Sequence, residues 1–172
     1  MQESFTTPRS LWLVLAAACA GMFVTSLVLT AWQNLHPCHL CIFQRLLYLL
    51  LAVIGLLAGW LSQRPAMRWL GFFALPLAAG GLAVAVYQSW LQLQPPGGVR
   101  CVGGDPSLIE SLVEWLGQIQ PELFLATGFC EEAELIILGL SLANWSALGF
   151  AACLALAYRA WRPIPERRLF RS

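Results

Sequence analysis

Along the 172-residue chain the apolar positions gather into four long runs, 11–32, 42–61, 69–91 and 135–158, divided by polar breaks of unequal length. A helix needs about 20 apolar residues to cross a hydrocarbon core, and each run is long enough. None alternates in polarity at every second residue, as the strands of a membrane barrel do. Closed helices are the remaining way to satisfy a backbone in lipid, so no strand is expected. Pro76 falls inside the third run and predicts a kink there. Around Cys19, "AAACAG" comes close to a lipoprotein cleavage site, but Ala16 stands where such a site wants Leu. The run also continues well past Cys19, so a retained span is expected. The pattern predicts an all-α integral membrane protein with one domain over 1–172, a four-transmembrane-helix bundle. Loops 33–41 and 92–134 then share one side, and the 62–68 loop and both tails share the other.

Composition sharpens this. The chain is 59% hydrophobic and 11% charged, against about 25% charged in a soluble domain. It contains no Lys. Arg9, Arg64, Arg68, Arg159, Arg162, Arg167, Arg168 and Arg171 fall on the side of the tails; the opposite side holds Arg100, with Arg45 just inside a helix. The positive-inside rule therefore puts both termini and the 62–68 loop in the cytoplasm. No nucleic-acid partner is expected.

That orientation sorts the cysteines. Cys19 and Cys153 fall in the middle of spans one and four, where a small apolar thiol is a packing residue. Cys38 and Cys41 lie at the junction of the first outer loop with helix two, and Cys101 and Cys130 in the second outer loop. All four face the compartment where bacterial disulfides persist. Zinc bound by these cysteines, with His36 or His39 as substitutes, would want two closely spaced pairs, and Cys101 and Cys130 are far apart. A bridge from Cys101 to Cys130 would close a loop large enough to stabilise it, whereas one from Cys38 to Cys41 would restrain almost nothing. C-x-x-C is instead the usual arrangement for thiols that cycle, each resolving the other.

Position adds to this. Cys41 stands at the start of helix two, where free N–H groups and the helix dipole favour an anion, and Arg45 shares its helix face one turn on. An intramembrane Arg either serves a site or snorkels to the interface. A redox pair at this depth needs an acceptor. The chain has no dinucleotide fingerprint, and Ile42 occupies the histidine position of a haem C-x-x-C-H. A lipid-soluble quinone is the economical choice, with Arg45 placed to polarise a carbonyl.

The loop 92–134 opens with "QLQPPGGVRCVGG", too rich in Pro and Gly for regular structure, so Cys101 rides on a mobile stretch. "DPSLIESLVEWLGQIQ" follows, with Asp105 or Ser107 as cap. Leu108, Leu112, Trp115, Leu116 and Ile119 fall on one side, with Glu110, Glu114 and Gln118 on another. This predicts a short amphipathic helix in the second periplasmic loop, lying on the membrane surface.

Four spans, "CHLCIFQR" opening the second, the pair Cys101/Cys130, and "ATGFCEEAELIILGL" running into the fourth make the chain similar to the DsbB family of bacterial disulfide-generating proteins over nearly its whole length. The resemblance implies an inner-membrane thiol:quinone oxidoreductase that reoxidises a periplasmic DsbA-type thioredoxin-fold oxidase and passes the electrons to the quinone pool, ubiquinone or menaquinone. It also implies roles by position. Cys101 takes the mixed disulfide with the partner; Cys130 pairs with Cys101 and then attacks Cys38. Cys41 is the thiolate facing quinone, supported by Arg45. Vitamin K epoxide reductase-type proteins carry their loop cysteines before the C-x-x-C; here the C-x-x-C comes first. The chain departs from some members at His39-Leu40 inside the pair, at Gln44 where they carry an acid, and at Ser89 where they carry a polar ring. The alternative is a non-enzymatic membrane protein whose periplasmic loop is held by disulfides or zinc.

Overall fold

The computed structural model describes residues 7–61, 66–94, 108–128, 130 and 135–162. Its long helices are α1 (Pro8–Gln33), α2 (His39–Trp60), α3 (Ala66–Leu91) and α6 (Leu142–Trp161). Between α3 and α6 lie α4 (Leu108–Ile119), the single turn α5 (Pro121–Phe124) and two short strands, β1 (Ile136–Ile137) and β2 (Leu140–Ser141).

Local chemistry sets the ends of these helices. Thr7 caps α1 by accepting from the Ser10 N–H, with Pro8 in the first turn where its missing N–H costs nothing. Asn34, at φ 50°, closes α1 in the left-handed region. At α2 the cap is Cys38, whose Sγ accepts from the Cys41 N–H. α3 runs on both sides of Pro76 as one helix.

The helices pack α1 on α2, α2 on α3, α3 on α6 and α6 on α1, which closes a four-membered ring. Its interior is Trp12, Leu15, Cys19, Tyr48, Leu51 and Phe150, all buried, with Tyr48 stacked on Phe150 at 4.1 Å between ring centroids. α3 meets α6 closely because Gly81 faces Phe150; an added Cβ would stand 2.3 Å from the ring. Outward-facing Val24, Val28, Val53, Leu56, Phe72 and Phe73 are exposed. Trp32, Trp60, Trp69 and Trp90 lie at helix ends, also exposed, as in an aromatic belt. Among the described residues three helices are long and apolar enough to cross a membrane: α1, α2 and the Trp69–Leu91 part of α3. α6 is shorter, at 20 residues, and contains Asn144, Ser146 and Arg159.

The expectation of helix from 135 and of no strand is corrected here. Ile136 pairs with Ser141 and Ile137 with Leu140 in an antiparallel hairpin. Leu138 and Gly139, at φ 54° and 80°, supply the two left-handed residues that a tight two-residue turn demands. α6 therefore starts at Leu142, capped by Ser141, whose Oγ accepts from the Asn144 N–H at 3.4 Å. Apolar composition had masked the turn. Trp145 Nε1 donates to the Ile137 carbonyl at 3.1 Å and pins the hairpin over the end of α6.

α4 packs on α2. Val113 is fully buried against Ile42 and Phe124, while Leu108, Leu112, Trp115 and Ile119 on the expected apolar face are exposed. His39 Nε2 and Glu114 Oε1, 3.9 Å apart, stand at the same junction.

Candidate redox site

The chain after α5 turns back onto the loop before α2. The N–H groups of Thr127 and Gly128 both donate to the Pro37 carbonyl, at 3.0 and 3.3 Å. Only glycine fits at 128, because a Cβ there would stand 1.7 Å from the His36 carbonyl oxygen. This docking carries Cys130 to Cys38, and the two are buried together against Leu91.

Three thiols follow in order. Cys130 hydrogen-bonds to Cys38, and Cys38 Sγ lies 3.1 Å from Cys41 Sγ. The hydrogen bond to Cys130, then that to Cys41, then burial push the Cys38 thiol far above the usual range for cysteine. Cys41, in the first turn of α2, is half-buried. Cys101 lies outside the described residues.

Two glutamines that the sequence reading did not place at the site complete it. Gln88 of α3, 2% exposed, donates from Nε2 to Cys41 Sγ at 3.0 Å and to Cys38 Sγ at 3.4 Å. Gln44 of α2, 5% exposed, donates from Nε2 to Gln88 Oε1 at 2.7 Å. A signal was available: amides inside apolar spans are uncommon and face the bundle interior. The neighbour singled out in sequence, Ser89, instead donates to the Ala85 carbonyl of its own helix at 2.9 Å.

Arg45 is buried at 6% exposure, and its Nη2 reaches across to α1, donating to the Ser26 carbonyl at 3.3 Å and to Thr30 Oγ1. It lines a cavity of about 330 Å³ that also takes in Cys38, Cys41, Gln44 and Gln88. The cavity walls come from α1, α2, α3, α6 and the β1 strand. Two polar atoms of its lining residues, Gln92 Oε1 and Ser146 Oγ, are buried and make no hydrogen bond among the described residues. Buried orphans of this kind are satisfied by a ligand or by water. Mostly apolar walls with a few convergent donors and acceptors suit a flat carbonyl-bearing ring.

Away from the cavity lining, Cys19 and Cys153 meet between α1 and α6, Sγ to Sγ 3.3 Å, inside the apolar interior.

A multi-pass helical membrane protein with a cysteine pair at the head of one span defines a class, that of membrane thiol oxidoreductases. The family profile "Disulfide bond formation protein DsbB" matches residues 8–160. A disulfide bond formation protein B of Dechloromonas aromatica (strain RCB) is 42% identical over 149 residues, covering 87% of this chain and 89% of the relative. That of Azoarcus sp. (strain BH72) is 39% identical over 150 residues, with the same coverage of both chains. That of Verminephrobacter eiseniae (strain EF01-2) is 36% identical over 168 residues, covering 94% and 92%. The chain belongs to the DsbB family of disulfide bond formation proteins, whose general role is thiol:quinone oxidoreduction in the inner membrane.

Proposed function

We propose that this chain reoxidises a periplasmic thioredoxin-fold thiol oxidase of the DsbA type and passes the electrons to ubiquinone or menaquinone. The observation that carries the reading is the contact order Cys130, Cys38, Cys41 at the wall of a cavity that also holds Arg45. In this reading α6 is the fourth span, both termini are cytoplasmic, and α4 rests on the outer membrane surface through its exposed Leu and Trp side chains.

The partner's nucleophilic thiolate attacks Cys101 of a Cys101–Cys130 disulfide and forms the mixed disulfide, with Cys130 released as thiolate; the partner's second cysteine then displaces Cys101, which leaves the partner oxidised. Cys130 then exchanges with Cys38, and Cys41 is the sulfur released toward the cavity. Bound quinone supplies a two-electron, two-proton acceptor. Arg45 offers N–H groups and a positive charge to a carbonyl oxygen, and the apolar walls keep bulk water away.

Replacing Cys130 by Ser tests the thiol order. When oxidised partner meets the reduced variant, its nucleophilic cysteine is expected to accumulate on Cys101 as a mixed disulfide, because the Cys130 thiol that would displace it is gone. Peptide mapping that finds the trapped bond on Cys38 would reverse the assignment of the two pairs.

A further inference from the structure

Gln88 and Gln44 form a closed amide chain whose direction has a chemical consequence. The Gln88 side-chain amide has two N–H donors and one carbonyl acceptor. In the structure the donors face Cys38 Sγ and Cys41 Sγ, and the acceptor is taken by Gln44 Nε2. Both glutamines are buried, so water does not compete for these bonds.

We propose that Gln88 is a catalytic residue that holds the negative charge released on Cys41, and that Gln44 is a positioning residue that keeps the donor end of Gln88 turned to the sulfurs. The inference rests on the redox role proposed for the Cys38–Cys41 pair. When the Cys130 thiolate attacks Cys38 of a Cys38–Cys41 disulfide, a Cys130–Cys38 bond forms and the Cys38–Cys41 bond breaks. The electron pair of the broken bond leaves on Cys41 Sγ. One thiolate is consumed and one is made, so the exchange involves no outside oxidant. The new charge appears 3.0 Å from a Gln88 N–H that already points at it. Because the donor is in place beforehand, no reorganisation is needed at the moment of exchange.

Direction is what Gln44 decides. An unconstrained primary amide can present either its carbonyl or its N–H groups to a sulfur. The first suits a thiol S–H and repels a thiolate; the second does the reverse. Gln44 turns Nε2 to Gln88, and that group can only donate, so with Gln44 in this orientation Gln88 offers it the oxygen and turns its nitrogen to the cysteines. An ionised carboxylate at position 44 can only accept, and would reverse the amide.

The test is the rate at which iodoacetamide alkylates Cys41 in the reduced full-length protein near neutral pH, located by peptide mass spectrometry, since only the thiolate reacts. Gln88→Leu is expected to slow it by about tenfold or more, the size of a lost hydrogen bond to a charged group. Gln44→Leu should slow it by a smaller factor, because the donor remains but is no longer oriented. Gln44→Glu should make the rate fall as the introduced carboxyl ionises and recover as it is protonated, a pH profile that loss of packing does not produce. Unchanged alkylation in Gln88→Leu overturns the charge-holding role. A pH profile for Gln44→Glu parallel to that of wild type overturns the orienting role. Thermal unfolding of each variant separates these outcomes from misfolding. The assay uses neither partner nor quinone, so wild-type protein that fails to reduce quinone would count against the proposed function and leave this inference standing.

Discussion

At the scale of single residues, Arg45 shows how burial changes the meaning of a charge. In sequence it stands near a helix end, where a snorkelling side chain and a site residue look alike. In the structure its head is turned inward and bonded to Ser26 and Thr30 of α1, beside the cavity. A planar guanidinium can keep both of those bonds and still present further N–H groups to a ligand; an ammonium has fewer donors and no fixed fork. Arg45→Lys is therefore expected to slow quinone reduction by about tenfold and Arg45→Met by about a hundredfold. The measurement is the steady-state rate with reduced partner in excess, alongside bound quinone in the purified protein. A pure anchor would leave Arg45→Lys at the wild-type rate. The cysteines of the C-x-x-C were legible from spacing alone. Gln88 left only the trace of an amide inside an apolar span, because its partners Gln44, Cys38 and Cys41 belong to α2 and its N-cap.

At the scale of elements, the stretch from α5 to Cys130 matters through its backbone. Thr127 and Gly128 seat on Pro37, and that docking brings one thiol, Cys130, to another, Cys38, across more than ninety residues of chain. Gly128→Val is expected to disrupt it, since the smallest added carbon already collides with His36. Overpacking of this kind costs about 1–3 kcal/mol. In a Cys41→Ser background, the yield of the Cys38–Cys130 disulfide should then fall by about tenfold at matched oxidant. Undiminished yield would show that the docking does not bring the two thiols together. The hairpin β1–β2 makes a related point. Ile136, Ile137 and Leu138 read as the start of a span by hydropathy, yet two left-handed residues turn the chain and delay α6 to Leu142.

At the scale of the whole molecule, orientation governs whether the thiols can meet an exported partner. Eight of the ten Arg fall on the side of the tails and the 62–68 loop, which predicts that Cys101 is reached from outside the inner membrane. Intact cells with a permeabilised outer envelope, reduced and then treated with an impermeant maleimide, should label Cys101. A single cysteine introduced at Ser172 should react only after the inner membrane is broken. The opposite pattern would invert the topology and with it the proposed partner.

Runs of apolar residues, a C-x-x-C at the head of one of them and an asymmetry of Arg are properties of composition and order. They decided the membrane class, the helical character of α1, α2 and α3, and the candidate pair Cys38 and Cys41. Local rules also carried the α4 segment, whose 3.6-residue pattern is visible without a fold. What depended on tertiary structure is every contact between elements distant along the chain. Cys130 reaches Cys38 because Gly128 lets two loops touch. Gln88 faces the sulfurs because α3 packs on α2 in one register. The cavity exists because the helices that wall it, α1, α2, α3 and α6, leave it unfilled beside Arg45. No periodicity in a single segment encodes which face of one helix meets which face of another; that is settled by how side chains of all four fill the shared interior.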